Sequence, residues 1–290
     1  MMDTLLNYTF QIIALGTALL AAVAAPVGAL SVYKGQSLIG DAIGHATFPG
    51  VVLAFMAFST RSPAVLLVGA MAAAAVTFFA IQAANENTRV GLNANLAVFL
   101  SGFFGLGMVL KSFIQGNEAY RGASQAGLET YIFGQAAYML EADVKLIAFV
   151  AALCAALLFA FYKELKVFVF DAEYARAVGL PVRLLQVLLP FLTIAVIGIG
   201  IKAVGAILIS SFLIIPCVAA SQWSDDFAHV LFLSAVFGVV AALAGTYVST
   251  LEQGMSTGPS IILAASAIAF LSMFFGKRGA FRKRGRREEA

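Results

Sequence analysis

The chain has 290 residues, of which 61% are hydrophobic and only 11% charged, with a mean hydropathy of +0.95. A soluble domain carries about 25% charged residues, so this composition excludes an ordinary water-soluble enzyme or binding module and predicts a polytopic membrane protein. The net charge of +3 is concentrated at one end: residues 277–290 hold seven Lys/Arg against two Glu, and the rest of the chain holds eleven basic against thirteen acidic groups.

A crossing helix needs roughly 17–25 predominantly apolar residues, and nine runs approach that length. They are residues 4–33, 41–60, 63–84, 94–110, 146–162, 184–201, 203–222, 228–251 and 253–276. Only Lys202 separates the sixth from the seventh. The predicted fold class is all-α, a transmembrane helical bundle of nine spans, or eight if a shorter run is re-entrant. The predicted domains are a transmembrane body over 1–276 and a basic tail over 277–290.

The N-terminus lacks the basic region and cleavage site of a secretory signal, so the first run is read as a retained span. The basic tail reads as cytoplasmic, lying against anionic lipid rather than nucleic acid. With nine spans this puts the N-terminus outside and the C-terminus inside. Thirteen Lys/Arg then fall on the inner side and five on the outer. Cys154 and Cys217 lie deep in apolar runs and imply no disulfide framework.

Two connections exceed simple turns. Residues 111–145 are placed outside, their later half read as a short helix dipping into the membrane. Residues 163–183 are placed inside. Within the latter, Asp171 is a good N-cap, residues 172–178 allow two helical turns, and Gly179 and Pro181 stop the helix. This predicts a short amphipathic helix, either a docking peg for a soluble partner or a helix lying on the membrane surface.

The second run contains Asp41 and His45, one helical turn apart on one face. An ionisable group in lipid costs roughly 2.5–3.5 kcal/mol on insertion scales and marks a functional site. An ionised Asp and a neutral His suit divalent manganese, iron or zinc. Two ligands are too few for a tight site, but a two-fold axis would make two Asp and two His. The alternative is an Asp–His hydrogen bond that neutralises both inside the bundle. Pro49 and Gly50 follow, and a proline within a span frees a backbone carbonyl, so a helix break near the site is expected. Asp225, Asp226 and His229 read as a solvated helix start more than as a metal cluster. No P-loop and no H-E-x-x-H motif is present, so the chain cradles no ATP through that motif and lacks the zincin signature.

The stretch Ser37-Leu38-Ile39-Gly40-Asp41-Ala42-Ile43-Gly44-His45-Ala46, with Pro49-Gly50, resembles the integral membrane permeases of bacterial ABC importers for manganese, zinc and iron. Residues 99–107 (FLSGFFGLG), 170–183 (FDAEYARAVGLPVR) and 204–220 (VGAILISSFLIIPCVAA) are similar to that family in the same order. Many members carry an acidic pair before the fourth span. Here that region reads Gly91-Leu92-Asn93-Ala94-Asn95, so no role carried by those acids transfers.

The resemblance implies a transport subunit, not an enzyme, in the bacterial cytoplasmic membrane. It implies that Asp41 and His45 ligate the transported cation and that no cofactor is permanently bound. It also implies that Asp171, Glu173, Tyr174, Arg176, Gly179 and Pro181 form the ATPase-coupling element. The implied partners are a second permease subunit, a cytoplasmic ATPase pair that hydrolyses the ATP, an extracytoplasmic metal-binding protein and membrane lipid. Residues 125–128 and 132–137 look more like the manganese-type branch, so manganese ranks ahead of zinc and iron. A permease for a metal chelate and an intramembrane metal-dependent hydrolase are the competing expectations.

Overall fold

The computed structural model describes residues 8–60, 62–120, 128, 134, 136, 139–251 and 255–278. All regular structure among them is helical. The helices are α1 (Tyr8–Tyr33), α2 (Ile39–Phe58), α3 (Pro63–Asn87), α4 (Leu92–Gly116), α5 (Glu141–Ala160), α6 (Tyr162–Phe170), α7 (Ala172–Ala177), α8 (Val182–Ala220), α9 (Phe227–Ser249) and α10 (Thr257–Phe275). A 3-10 turn, Glu118–Tyr120, follows α4. The dipping helix expected late in the 111–145 connection falls mostly outside the described residues.

Among the described residues, eight helices are long and apolar enough to cross a membrane. Seven are single rods. The eighth, α8, has 39 residues, which as a straight rod would reach about 58 Å against a hydrocarbon layer of about 30 Å. It is not straight. Gly205 has φ 82° and ψ 166°, a region open essentially to glycine alone. A Cβ on Gly200 would lie 2.7 Å from the Ile209 side chain, so the chain folds back on itself here.

The sequence placed the separator at Lys202. The break falls three residues later, and Lys202 stays helical, its ammonium paired with Asp143 at the start of α5. The carboxylate of Asp143 also accepts the Leu140 N–H at 3.1 Å.

A second difference lies in the 163–183 connection. Residues expected as loop form α6, with Leu165, Phe168 and Val169 buried. The charges of Lys163, Glu164 and Lys166 masked a helix whose apolar side packs on the bundle.

α8 is the centre. It packs against α1, α2, α3, α5, α9 and α10, and Leu192, Val196, Ile197, Ile209, Phe212 and Cys217 on it are fully buried. Lipid offers no hydrophobic drive between helices, so close packing by small residues holds them together. Gly28 of α1 meets the Leu213 backbone directly, and Gly245 of α9 meets the Ile261 backbone of α10.

Because the rods alternate in direction, their ends sort into two groups. One end carries the α1–α2 link, α6, α7, the α8–α9 link and the end of α10. There Tyr33, Phe170 and Phe227 form a cluster of rings. The Arg278 N–H donates to Gln222 O at 3.1 Å, and its guanidinium pairs with Asp225. The opposite end carries the Gly205 reversal, the Lys202–Asp143 pair and the end of α4.

Candidate functional site

Asp41 and His45 project from the first two turns of α2. His45 Nε2 lies 3.5 Å from Asp41 Oδ1, with 19% and 30% of the two side chains exposed. The pair is therefore neither sealed in the interior nor fully solvated. His45 stands edge-on to Phe104 of α4, ring centroids 5.2 Å apart at 81°. One turn further along, a Cβ on Gly107 would sit 2.5 Å from the Phe48 ring and 3.1 Å from Pro49. α4 thus borders the polar pair along one side.

The depth of the pair follows from what α2 touches. A Cβ on Gly40 would meet Leu213 at 2.6 Å, and one on Gly44 would meet the Ser210 hydroxyl at 3.2 Å. Leu213 lies seven residues before the end of α8, about 10 Å along the axis. α2 therefore begins inside the bundle, and Asp41 and His45 lie within its thickness.

The expected break at Pro49 and Gly50 does not occur, because α2 runs unbroken from Ile39 to Phe58. Pro49 still withholds an N–H, which leaves the His45 carbonyl without its usual helical donor. Gly50 serves a different purpose from the one expected. It brings the α2 backbone against Gly69 of α3, where each glycine's missing side chain makes room for the other's carbonyl.

Among the described residues, no three His, Cys, Asp or Glu side chains converge as a metal-holding group. Asp41 and His45 stand as a pair with no third such group beside them among the described residues. Asp226 and His229 are close, at 2.6 Å, but exposed. Asp226 caps α9 through the Ala228 N–H. The hydrogen bond with His229 holds its carboxyl below the usual range. Asp225 is taken by Arg278. This is a solvated helix start.

At the other candidate element, Asp171 accepts the Tyr174 N–H at 2.8 Å and caps α7. Gly179, at φ 81°, ends the helix, with the Leu180 N–H donating to Ala175 O at 3.0 Å. Glu173, Tyr174, Arg176, Gly179 and Pro181 are all exposed, whereas Ala175 is buried against the body. The helix is therefore anchored through Ala175, with Ala172 and Leu180 partly buried beside it, and its polar side is exposed.

Sequence reasoning did not single out Phe104, Gly107 or Lys34. The first two lie within or at the end of the 99–107 segment. Lys34 carries its own signal, a lone cation between two spans. Its ammonium sits 4.1 Å from the Phe168 ring centroid, and burial pushes its pKa down to about 8.

The fold, with eight helices among the described residues long and apolar enough to cross a membrane, is that of a multi-pass membrane protein. The chain belongs to the ABC 3 transport family, which it matches over residues 7–276. It is 37% identical over 265 residues to the manganese transport system membrane protein MntC of Bacillus subtilis, covering 91% of this chain and 60% of that protein. It is 36% identical over 270 residues to the zinc transport system membrane protein TroC of Treponema pallidum, covering 93% of this chain and 90% of that one. The structure of PsaBC from Streptococcus pneumoniae in complex with Fab is similar, with TM-score 0.82, 26% identity and 98% of both chains covered. The chain is accordingly a permease subunit in the inner membrane, a transport component rather than an enzyme.

Proposed function

We propose that this permease is the membrane-spanning subunit of an ATP-driven importer of a divalent transition metal ion, manganese ahead of zinc and iron. The carrying observation is the Asp41–His45 pair, stacked one turn apart, partly open and inside the bundle. A carboxylate and an imidazole at that depth need a partner, and a divalent cation satisfies both. The named functions of the manganese and zinc relatives support this cargo class.

A second copy or a related permease, meeting this one on a two-fold axis, supplies the missing ligands. α4 borders the pair, and its Val98, Val109 and Phe113 stand exposed, a surface for lipid or that second subunit. A cytoplasmic ATPase pair docks on α7. An extracytoplasmic metal-binding protein delivers the ion at the opposite end. The α7 end carries Lys34, Arg89, Lys163, Lys166, Arg176 and Arg183, so by the positive-inside rule it faces the cytoplasm. The reversal at Gly205 turns α8 into two crossings, which gives nine in all and a cytoplasmic basic tail over 277–290.

The test is uptake of radiolabelled manganese by cells expressing the assembled transporter. Asp41→Asn and His45→Ala each abolish accumulation while the complex still assembles. Normal uptake in both variants removes the assignment. The purified chain alone hydrolyses no ATP.

A further inference from the structure

An unbroken set of contacts joins α7 to the start of α2. Phe170 directly precedes Asp171, the cap of α7. Its ring stands edge-on to Tyr33 at 5.6 Å and to Phe227 at 5.3 Å, and Tyr33 and Phe227 stand edge-on to each other at 5.2 Å. Two residues earlier, Phe168 holds the Lys34 ammonium over its face. Edge-on ring pairs and cations over rings have preferred geometries, so these contacts resist sliding.

Tyr33 ends α1, and Lys34 opens the five-residue link to α2. That link is tightly hydrogen-bonded. Lys34 N–H donates to Leu30 O at 3.0 Å, Gly35 N–H to Val32 O at 3.0 Å and Gln36 N–H to Ser31 O at 2.9 Å. Gly35 takes φ 78°, which closes the helix end in the usual glycine-capped way. Ile39 N–H then donates back to Gln36 O at 3.1 Å. A link bonded at nearly every residue passes displacement on rather than absorbing it. Asp41 follows two residues into α2.

A belt of aromatic residues at a membrane boundary is the simpler explanation for such rings. It does not account for Phe227, which is 3% exposed, nor for three rings each packed on the other two.

We propose that Tyr33, Lys34, Phe168 and Phe170 are positioning residues that carry movement of α7 to α2, tying the Asp41–His45 pair to whatever docks on α7. This rests on the reading of α7 as the ATPase-docking helix and of Asp41 and His45 as cargo ligands.

The experiment uses the permease assembled with its ATPase in phosphatidylethanolamine–phosphatidylglycerol liposomes, supplied with its Mn(II)-loaded metal-binding protein, and reads Mn(II) moved per ATP hydrolysed. In Phe170→Leu and Phe168→Leu the ATPase remains bound and active, and the ratio falls roughly five-fold or more. Phe170→Tyr keeps the ring and restores the ratio. An unchanged ratio, or transport and hydrolysis falling in parallel, overturns the proposal. Loss of assembly in both leucine variants also counts against it, because it shows a purely structural role. If the wild-type complex assembles and hydrolyses ATP yet moves no Mn(II), the cargo assignment fails instead.

Discussion

Gly200 and Ile209 are neighbours in space, although nine residues of helix would hold them about 13 Å apart. A Cβ on Gly200 would come within 2.7 Å of Ile209. The contact exists because Gly205 turns the chain through a conformation that side chains exclude. The reversal is enclosed: Gly134 lies against Val204, and Ile201 and Ala206 belong to a buried cluster with Phe48, Phe55 and Ile114. Gly205→Ala should therefore cost about 1–3 kcal/mol of backbone strain. Thermal unfolding in detergent checks this, and an unchanged melting temperature would show that the turn tolerates a side chain.

Lys202 and Asp143 fasten that reversal to α5. Their side chains are 33% and 15% exposed, so neither charge is well solvated. Lys202→Met leaves Asp143 buried without its cation and should destabilise by about 1–3 kcal/mol. Adding Asp143→Leu removes the orphaned charge and should recover much of the loss. Strictly additive effects in the double-mutant cycle would mean the two residues do not interact.

Asp171→Ala removes the only side-chain cap of a six-residue helix. Caps of this kind contribute about 1 kcal/mol, which is large for so short an element. The expected outcome is weaker retention of the ATPase on the immobilised permease, with Asp171→Asn close to wild type. Equal retention by the alanine variant would separate α7 from docking.

Lys34 gives a pH dependence with a definite sign. Its pKa falls from 10.5 to about 8 because burial disfavours the ammonium. Below pH 8 the folded and unfolded chains both hold the proton, and the folded form bears the desolvation cost. Between about 8 and 10.5 the folded protein releases a proton that the unfolded chain keeps, so stability rises with pH in that window. Lys34→Met should melt higher at neutral pH and lose that rise. Parallel profiles for the two proteins would exclude the effect.

Much of this architecture was legible before any coordinates. Uncharged runs located the spans because lipid demands them. Asp171, Gly179 and Pro181 marked both ends of α7 because capping and termination are local chemistry. The shared face of Asp41 and His45 followed from helical spacing alone. What escaped the sequence is tertiary in origin. The break at Gly205 rather than Lys202 depends on what surrounds the turn, since a lysine looks like a loop residue until its carboxylate partner is known. α6 was hidden by its charges, Lys163, Glu164 and Lys166, which stand among the apolar residues it buries. Pro49 sits inside an unbroken helix with Gly107 of α4 close beside it, a neighbour that residue type does not reveal. The depth of Asp41 and His45 came only from the contacts of Gly40 and Gly44 with α8.

The mutual fit of Gly50 and Gly69 limits how the polar pair can travel. With each backbone seated in the notch left by the other, α2 cannot spin about its own axis without dragging α3. Re-aiming the acid and the ring by rotating one rod alone would break that fit, whereas a swing of both rods as a single lever would keep it.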